Sequence, residues 1–291
     1  MQTIFDQINE WIKDFLIGCI TGNLGGLFDE VNTKVGEIAG QVGQTPSGFN
    51  GGVFSMIQNI SETVMIPIAG MILTFVCCYE LIQMIIEKNN MHGDIDTFMF
   101  FKWIFKTTVA VYLVTHTFTI VMAVFDVSQN VIQQSAGVIS GNANIDIAGA
   151  LGDMQTTLEA MEIPELFGLT METLIIGLTM KALSLCIFII VYGRMLEIYL
   201  MTSLGPIPMA TMANREWGQL GQNYLKSLFA LGFQGFLIMV CVGIYAVLVQ
   251  TISVSGGDIH GAIWGCAGYT LLLCFALFKT GSLAKSVFSA H

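Results

Sequence analysis

Charge is scarce in this chain, and positive charge scarcer still. Only 11% of the 291 residues are charged, and 11 Lys or Arg stand against 21 Asp or Glu, a formal net charge of -10. Capture of nucleic acid by bulk electrostatics needs many cations for phosphate contacts, so any DNA contact here has to be local. Also absent are H-E-x-x-H, G-x-S-x-G, G-x-x-x-x-G-K-[ST] and G-x-G-x-x-G, and His92, His116, His260 and His291 share no metal-ligand spacing. No catalytic residue, metal or cofactor is therefore expected. There is no C-x-x-C pair, and the seven cysteines, an odd total, all fall in apolar runs. They read as small buried hydrophobes and not as a disulfide frame. A basic region followed by a short apolar core is missing from the N-terminus, so no cleaved signal peptide is expected.

What the chain has is hydrophobic length. Hydrophobic residues make up 54% of it and the mean hydropathy is +0.71. That composition predicts an all-α integral membrane protein. A membrane helix needs about 20 apolar residues at 1.5 Å each, and five stretches supply them. They are Val64 to Ile86, Trp103 to Phe125, 171 to 204, Leu228 to Gln250 and Ala262 to Lys279. The third ends at Gly205-Pro206-Ile207-Pro208, where two prolines remove two backbone donors and break the helix. Irregular backbone at membrane depth must be shielded by protein or line a cavity. Beyond it, Trp217 sits in a polar, surface-lying run from about Asn214 to Lys226, as an interfacial anchor would.

Ahead of the spans, residues 1–52 read as an amphipathic N-terminal region: one helix over 1 to 20, an interruption at Gly22, Gly25 and Gly26, a second short helix, and a loop over 40 to 52. Helices one and two occupy 53–125, and 126–170 reads as a polar, acidic central loop without a single Lys or Arg. Helix three and the proline-broken segment fill 171–227, and helices four and five fill 228–291. Lys88, Lys102, Lys106, Arg215, Lys226, Lys279 and Lys285 all fall on one side of this layout, with Lys13 and Lys34 on the other. The positive-inside rule then puts the N-terminus outside, the C-terminus in the cytoplasm and the central loop outside.

Ionisable residues inside spans are the candidate functional positions, since a charge at the bilayer centre costs roughly 2.5–3.5 kcal/mol on insertion scales. Glu80, Lys106, Arg194 and Glu197 fall within about one to two turns of one interface. They are expected to form one charged layer or to lock helices together as ion pairs. His116 and Lys181 lie deeper, and Lys181 is explained either by a buried pair or by a ring of lysines around a hydrated path.

With these residues in view, a resemblance can be stated. The five-span layout, the central outer loop and LGPIPMATMANREWGQL at 204–220 resemble the TrbL family, the polytopic inner-membrane subunit of type IV secretion and conjugation systems. NTKVGEIAGQVGQTPSGFNGGVFSMIQNISETVMIPIAGMILTFVCCYELIQMIIEKNN at 32–90 and MFFKWIFKT at 99–107 resemble the branch carried by conjugative elements of Gram-positive bacteria. The resemblance implies a non-enzymatic channel or scaffold subunit in the cytoplasmic membrane. It also implies membrane subunits of the machine and secretion ATPases as partners, with translocated single-stranded DNA as cargo. Five helices enclose no pore wide enough for DNA whereas a ring of protomers does, so a homo-oligomer is expected. The alternatives are a secondary transporter with its site at the Gly205 to Pro208 break and a membrane scaffold without a pore.

Overall fold

The computed structural model describes residues 2–89, 97–140, 147–251 and 259–290. Among them every regular element is a helix: α1 (Gln2–Val42), α2 (Pro46–Phe49), α3 (Gly51–Ile60), α4 (Ile66–Asn89), α5 (Thr97–Thr115), α6 (Thr117–Ser140), α7 (Ile147–Ala160), α8 (Ile163–Leu204), α9 (Pro206–Thr211), α10 (Gly218–Gln250) and α11 (Ile259–Val287). Five stretches are long and apolar enough to cross a membrane: Gly51–Glu87, Phe98–Thr115, Ile163–Leu204, Gly218–Gln250 and Ile259–Val287. The all-α, five-span reading holds, with shifted boundaries. The first span reaches back through α3, and the second starts before Lys102 because Phe98 to Phe101 are themselves apolar.

The chain forms two compact units. The first comprises 1–42, 133–191 and 237–279, and the second 43–132, 192–236 and 280–291. In the first unit, α1 is one unbroken helix of 41 residues, not the two pieces expected. Each helical glycine costs about 1 kcal/mol relative to alanine, but the stripe Leu16, Ile20, Leu24 and Leu27 is buried on both sides of Gly22, Gly25 and Gly26. Tertiary packing holds the helix through its weak point. α1 packs on α7, Lys13 Nζ donates to the carbonyl of Glu159 at 2.7 Å, and Asn23 Nδ2 donates to Thr173 Oγ1 at 3.2 Å.

In the second unit, α4 and α5 pack on each other and both pack on the short α9. Their core is built from Leu73, Val76, Ala110, Val114, Val121, Phe125, Ile198, Met209, Ala210 and Leu228. Between α3 and α4, residues Ser61–Met65 form a single π-helical turn in which the Ile66 amide donates to the Ser61 carbonyl. Pro67 explains it, because its ring crowds the carbonyl four residues back and it has no N–H to give that carbonyl.

The central segment also departs from its reading as a loop, since α6 runs to Ser140 and α7 and α8 fill most of 147–170. Phe125, Ser128, Gln129 and Ile132 are buried at helical spacing, which carries α6 through a polar sequence. Gln129 Nε2 donates to the Gln44 carbonyl. The surface-lying run expected over 214–226 is likewise the start of α10, with Tyr224 and Leu228 in the core.

Candidate functional site

Where α4 and α5 reach their polar ends, the second unit gathers its ionisable residues. Lys106 Nζ lies 2.6 Å from Glu80 Oε1. The other carboxylate oxygen, Oε2, accepts from Asn214 Nδ2 at 3.0 Å. Asn214 Oδ1 in turn accepts from the backbone amides of Glu216 at 2.7 Å and Trp217 at 3.0 Å. That is an asparagine-centred turn of the kind that competes with helix, and it sets the start of α10. Glu216 is gripped from α4 by Gln83 Nε2 at 3.1 Å and Tyr79 Oη at 3.4 Å. Trp217 stacks on Tyr79 and Phe75, with ring centroids 5.7 Å away in both cases. The indole that reads as a surface anchor is thus pinned against the first span.

The proline break lies one short helix earlier. α8 ends at Leu204, and Pro206 takes the first position of α9, where a missing N–H is tolerated. The Thr202 carbonyl, which Pro206 cannot serve, accepts instead from the Gly205 amide at 3.4 Å. Gly205 is required for space and not for conformation: a Cβ there would come within 2.6 Å of Tyr224 Oη and 2.8 Å of Thr117 Cγ2. The break is tightly filled by protein.

Arg194 and Glu197 do not pair with each other. Glu197 Oε1 is 3.2 Å from Lys285 Nζ at the end of α11. Arg194 is buried on α8, and its guanidinium donates to the carbonyls of Leu231 at 3.3 Å and Gly232 at 3.4 Å on α10. It has no carboxylate partner among the described residues. The expected charged layer therefore resolves into two ion pairs and one cation held by backbone. His116 sits in the one-residue seam between α5 and α6, exposed, its ring stacked on Tyr112 at 4.2 Å and its Nδ1 3.0 Å from Thr115 Oγ1.

Lys181 belongs to the first unit. It is exposed on α8 and lines a cleft of about 370 Å³ with Glu30 of α1, without an ion pair to any described residue. In the same unit His260 Nδ1 meets Glu172 Oε2 at 2.5 Å, while Glu172 Oε1 is buried without a partner among the described residues. Sequence reasoning passed over this pair, and over Asn214 and Glu216. His260 and Glu172 are joined across 88 residues, Asn214 and Glu80 across 134, and Glu216 is joined to Gln83 and Tyr79 across 133 and 137, which no local spacing signals.

A family model described as TrbL/VirB6 plasmid conjugal transfer like protein matches residues 31–206. The chain belongs to this family. The match covers the end of α1, both spans of the first half and all of α8, and stops at the first proline of the break. No curated protein and no solved structure matches. With five spanning helices and this membership, the chain is a multi-pass membrane protein of a conjugal transfer family.

Proposed function

We propose that this TrbL/VirB6-like chain is a channel or scaffold subunit of a conjugative type IV secretion machine in the bacterial cytoplasmic membrane. In this reading it works as a homo-oligomer, without catalysis. It assembles with other membrane subunits of the machine and with secretion ATPases, and it supports passage of single-stranded DNA. The family match over 31–206 carries this reading. The charge distribution supports an outer N-terminus and a cytoplasmic C-terminus, with 126–170 outside. The mid-helix Lys181, which lacks an ion-pair partner among the described residues, suits a residue facing a path shared by several protomers.

The transporter alternative loses ground at the broken helix, because Tyr224, Thr117 and the Thr202 carbonyl of α8 fill the space around Gly205 that a substrate would need. Deletion of the gene, with the machine's other genes left intact, tests the proposal. DNA transfer should be abolished while ATP hydrolysis by the separately purified motor proteins stays normal. Wild-type transfer frequency in a clean deletion would remove the reading.

A further inference from the structure

A polar cleft of about 500 Å³ opens in the second unit at the ends of α4 and α5. Its ionisable lining is Glu80, Glu87, Lys102, Lys106 and Arg215, three cations against two carboxylates. Glu80 is fully used, since one oxygen holds Lys106 and the other holds Asn214. That leaves Lys102 and Arg215, both exposed and neither paired with any described carboxylate, facing the exposed Glu87. Two cations without a carboxylate partner among the described residues, in one concavity, make a site for an anion.

The surroundings say which anion. On α5, Lys102 is flanked by Phe98, Phe101 and Phe105, which are 71%, 66% and 71% exposed. In a helix apolar enough to cross a membrane such a face meets hydrocarbon, and a lysine there lays its stem along the apolar surface and carries its ammonium toward the headgroups. The Trp217–Tyr79 stack marks the same end of α4 as the interfacial level, where amphipathic rings collect. Methionines 84, 99 and 212 and the ring of Trp103 supply apolar wall within the cleft itself. Phosphate groups of anionic lipids are concentrated at this depth, and basic pockets between membrane helices bind them. A nucleic-acid backbone has no comparable use for the phenylalanine face.

We propose that this cleft is a binding site for the phosphate headgroup of an anionic phospholipid, with Lys102 and Arg215 holding the phosphate and Glu87 limiting its affinity. The site stands whether or not the chain forms a channel.

Native mass spectrometry of the purified full-length chain tests it, using equal amounts of phosphatidylglycerol and phosphatidylcholine with identical acyl chains. The wild type should retain phosphatidylglycerol preferentially. Lys102→Gln and Arg215→Gln should each cut that preference about 5-fold, the weight of one basic residue at an anionic surface. Lys226→Gln, outside the cleft, should not. Glu87→Gln should raise the preference, an outcome that loss of folding cannot imitate. Equal retention of both lipids by the wild type, or an unchanged preference in the Lys102 and Arg215 variants, overturns the proposal. Displacement of the lipid by millimolar inorganic phosphate would assign the cleft to a free anion instead. Cleft-dependent binding of a single-stranded oligonucleotide in place of lipid would overturn it in favour of nucleic acid.

Discussion

A Cβ on Gly235 would lie 2.6 Å from Nη2 of Arg194. The glycine on α10 and the arginine on α8 are a matched pair, in which the absence of a side chain on one makes room for the buried guanidinium of the other. Arg194 reaches two carbonyls that the α10 ladder already uses, while bearing the desolvation cost of a cation without a carboxylate partner among the described residues.

The first prediction follows from that imbalance. Gly235→Ala should lower thermal stability in detergent by the equivalent of about 1–3 kcal/mol, the usual cost of overpacking. Arg194→Met should leave stability unchanged or raise it, because replacing a buried charge with an apolar side chain of similar volume is often neutral or better. The double variant should recover only part of the glycine variant's loss, because Ile132 Cδ1 would still lie 2.5 Å from the new Cβ. Heating followed by size-exclusion chromatography reads all three, and a large drop for Arg194→Met would show that its carbonyl bonds outweigh desolvation.

At the polar end of α4 the order of effects is specific. Glu80→Gln should destabilise more than Lys106→Gln, since Glu80 also anchors Asn214 and with it the turn into α10. Lys106 and Glu80 are 37% and 21% exposed, so the pair alone is worth only about 1 kcal/mol. Asn214→Ala should cost a similar amount by uncapping the Glu216 and Trp217 amides. The same heating assay checks this, and equal losses for the two charge variants would contradict it.

Lys181→Met separates stability from function. Lys181 has no ion-pair partner among the described residues, so its removal orphans no described charge, and the protomer should fold and keep its thermal midpoint. Loss of DNA transfer in that background would tie the residue to a shared path, and full transfer would release it from any role there.

Within the first unit, Cys186 and Cys274 touch through their side chains across α8 and α11. Both thiols are free. A membrane-permeant oxidant should link them, giving one cross-linked peptide pair and a mass lower by two hydrogens. Failure to link under conditions that oxidise other close thiols would argue against this packing of α8 on α11.

Topology is checked by labelling. A cysteine at Ser140 should react with an impermeant thiol reagent outside intact cells, and one at Asn90 should not; the reverse would overturn the orientation.

Much of this architecture was legible in the sequence, and the part that was not has a common cause. Apolar runs near 20 residues have few alternatives to spanning, and two prolines in three residues have few alternatives to ending α8. Glu80 and Lys106 could be placed near each other because depth along a helix is countable from the sequence. The partner of Arg194 could not, because a backbone carbonyl looks the same at every residue. The continuity of α1 through three glycines was equally hidden, since the stripe from Leu16 to Leu27 stabilises it only once the rest of its unit is present to cover it.

That last dependence sets a clock on biogenesis. The tertiary contacts of α1 lie 146 and 150 residues downstream, at Glu159 and Thr173. At about 5–20 residues per second of synthesis, the N-terminal helix waits roughly 7–30 s between leaving the ribosome and meeting these neighbours. Too polar to be held by the bilayer as a span, and carrying exposed Ile4, Phe5, Ile8, Trp11 and Phe15, it would spend that interval without the neighbours that cover its stripe from Leu16 to Leu27.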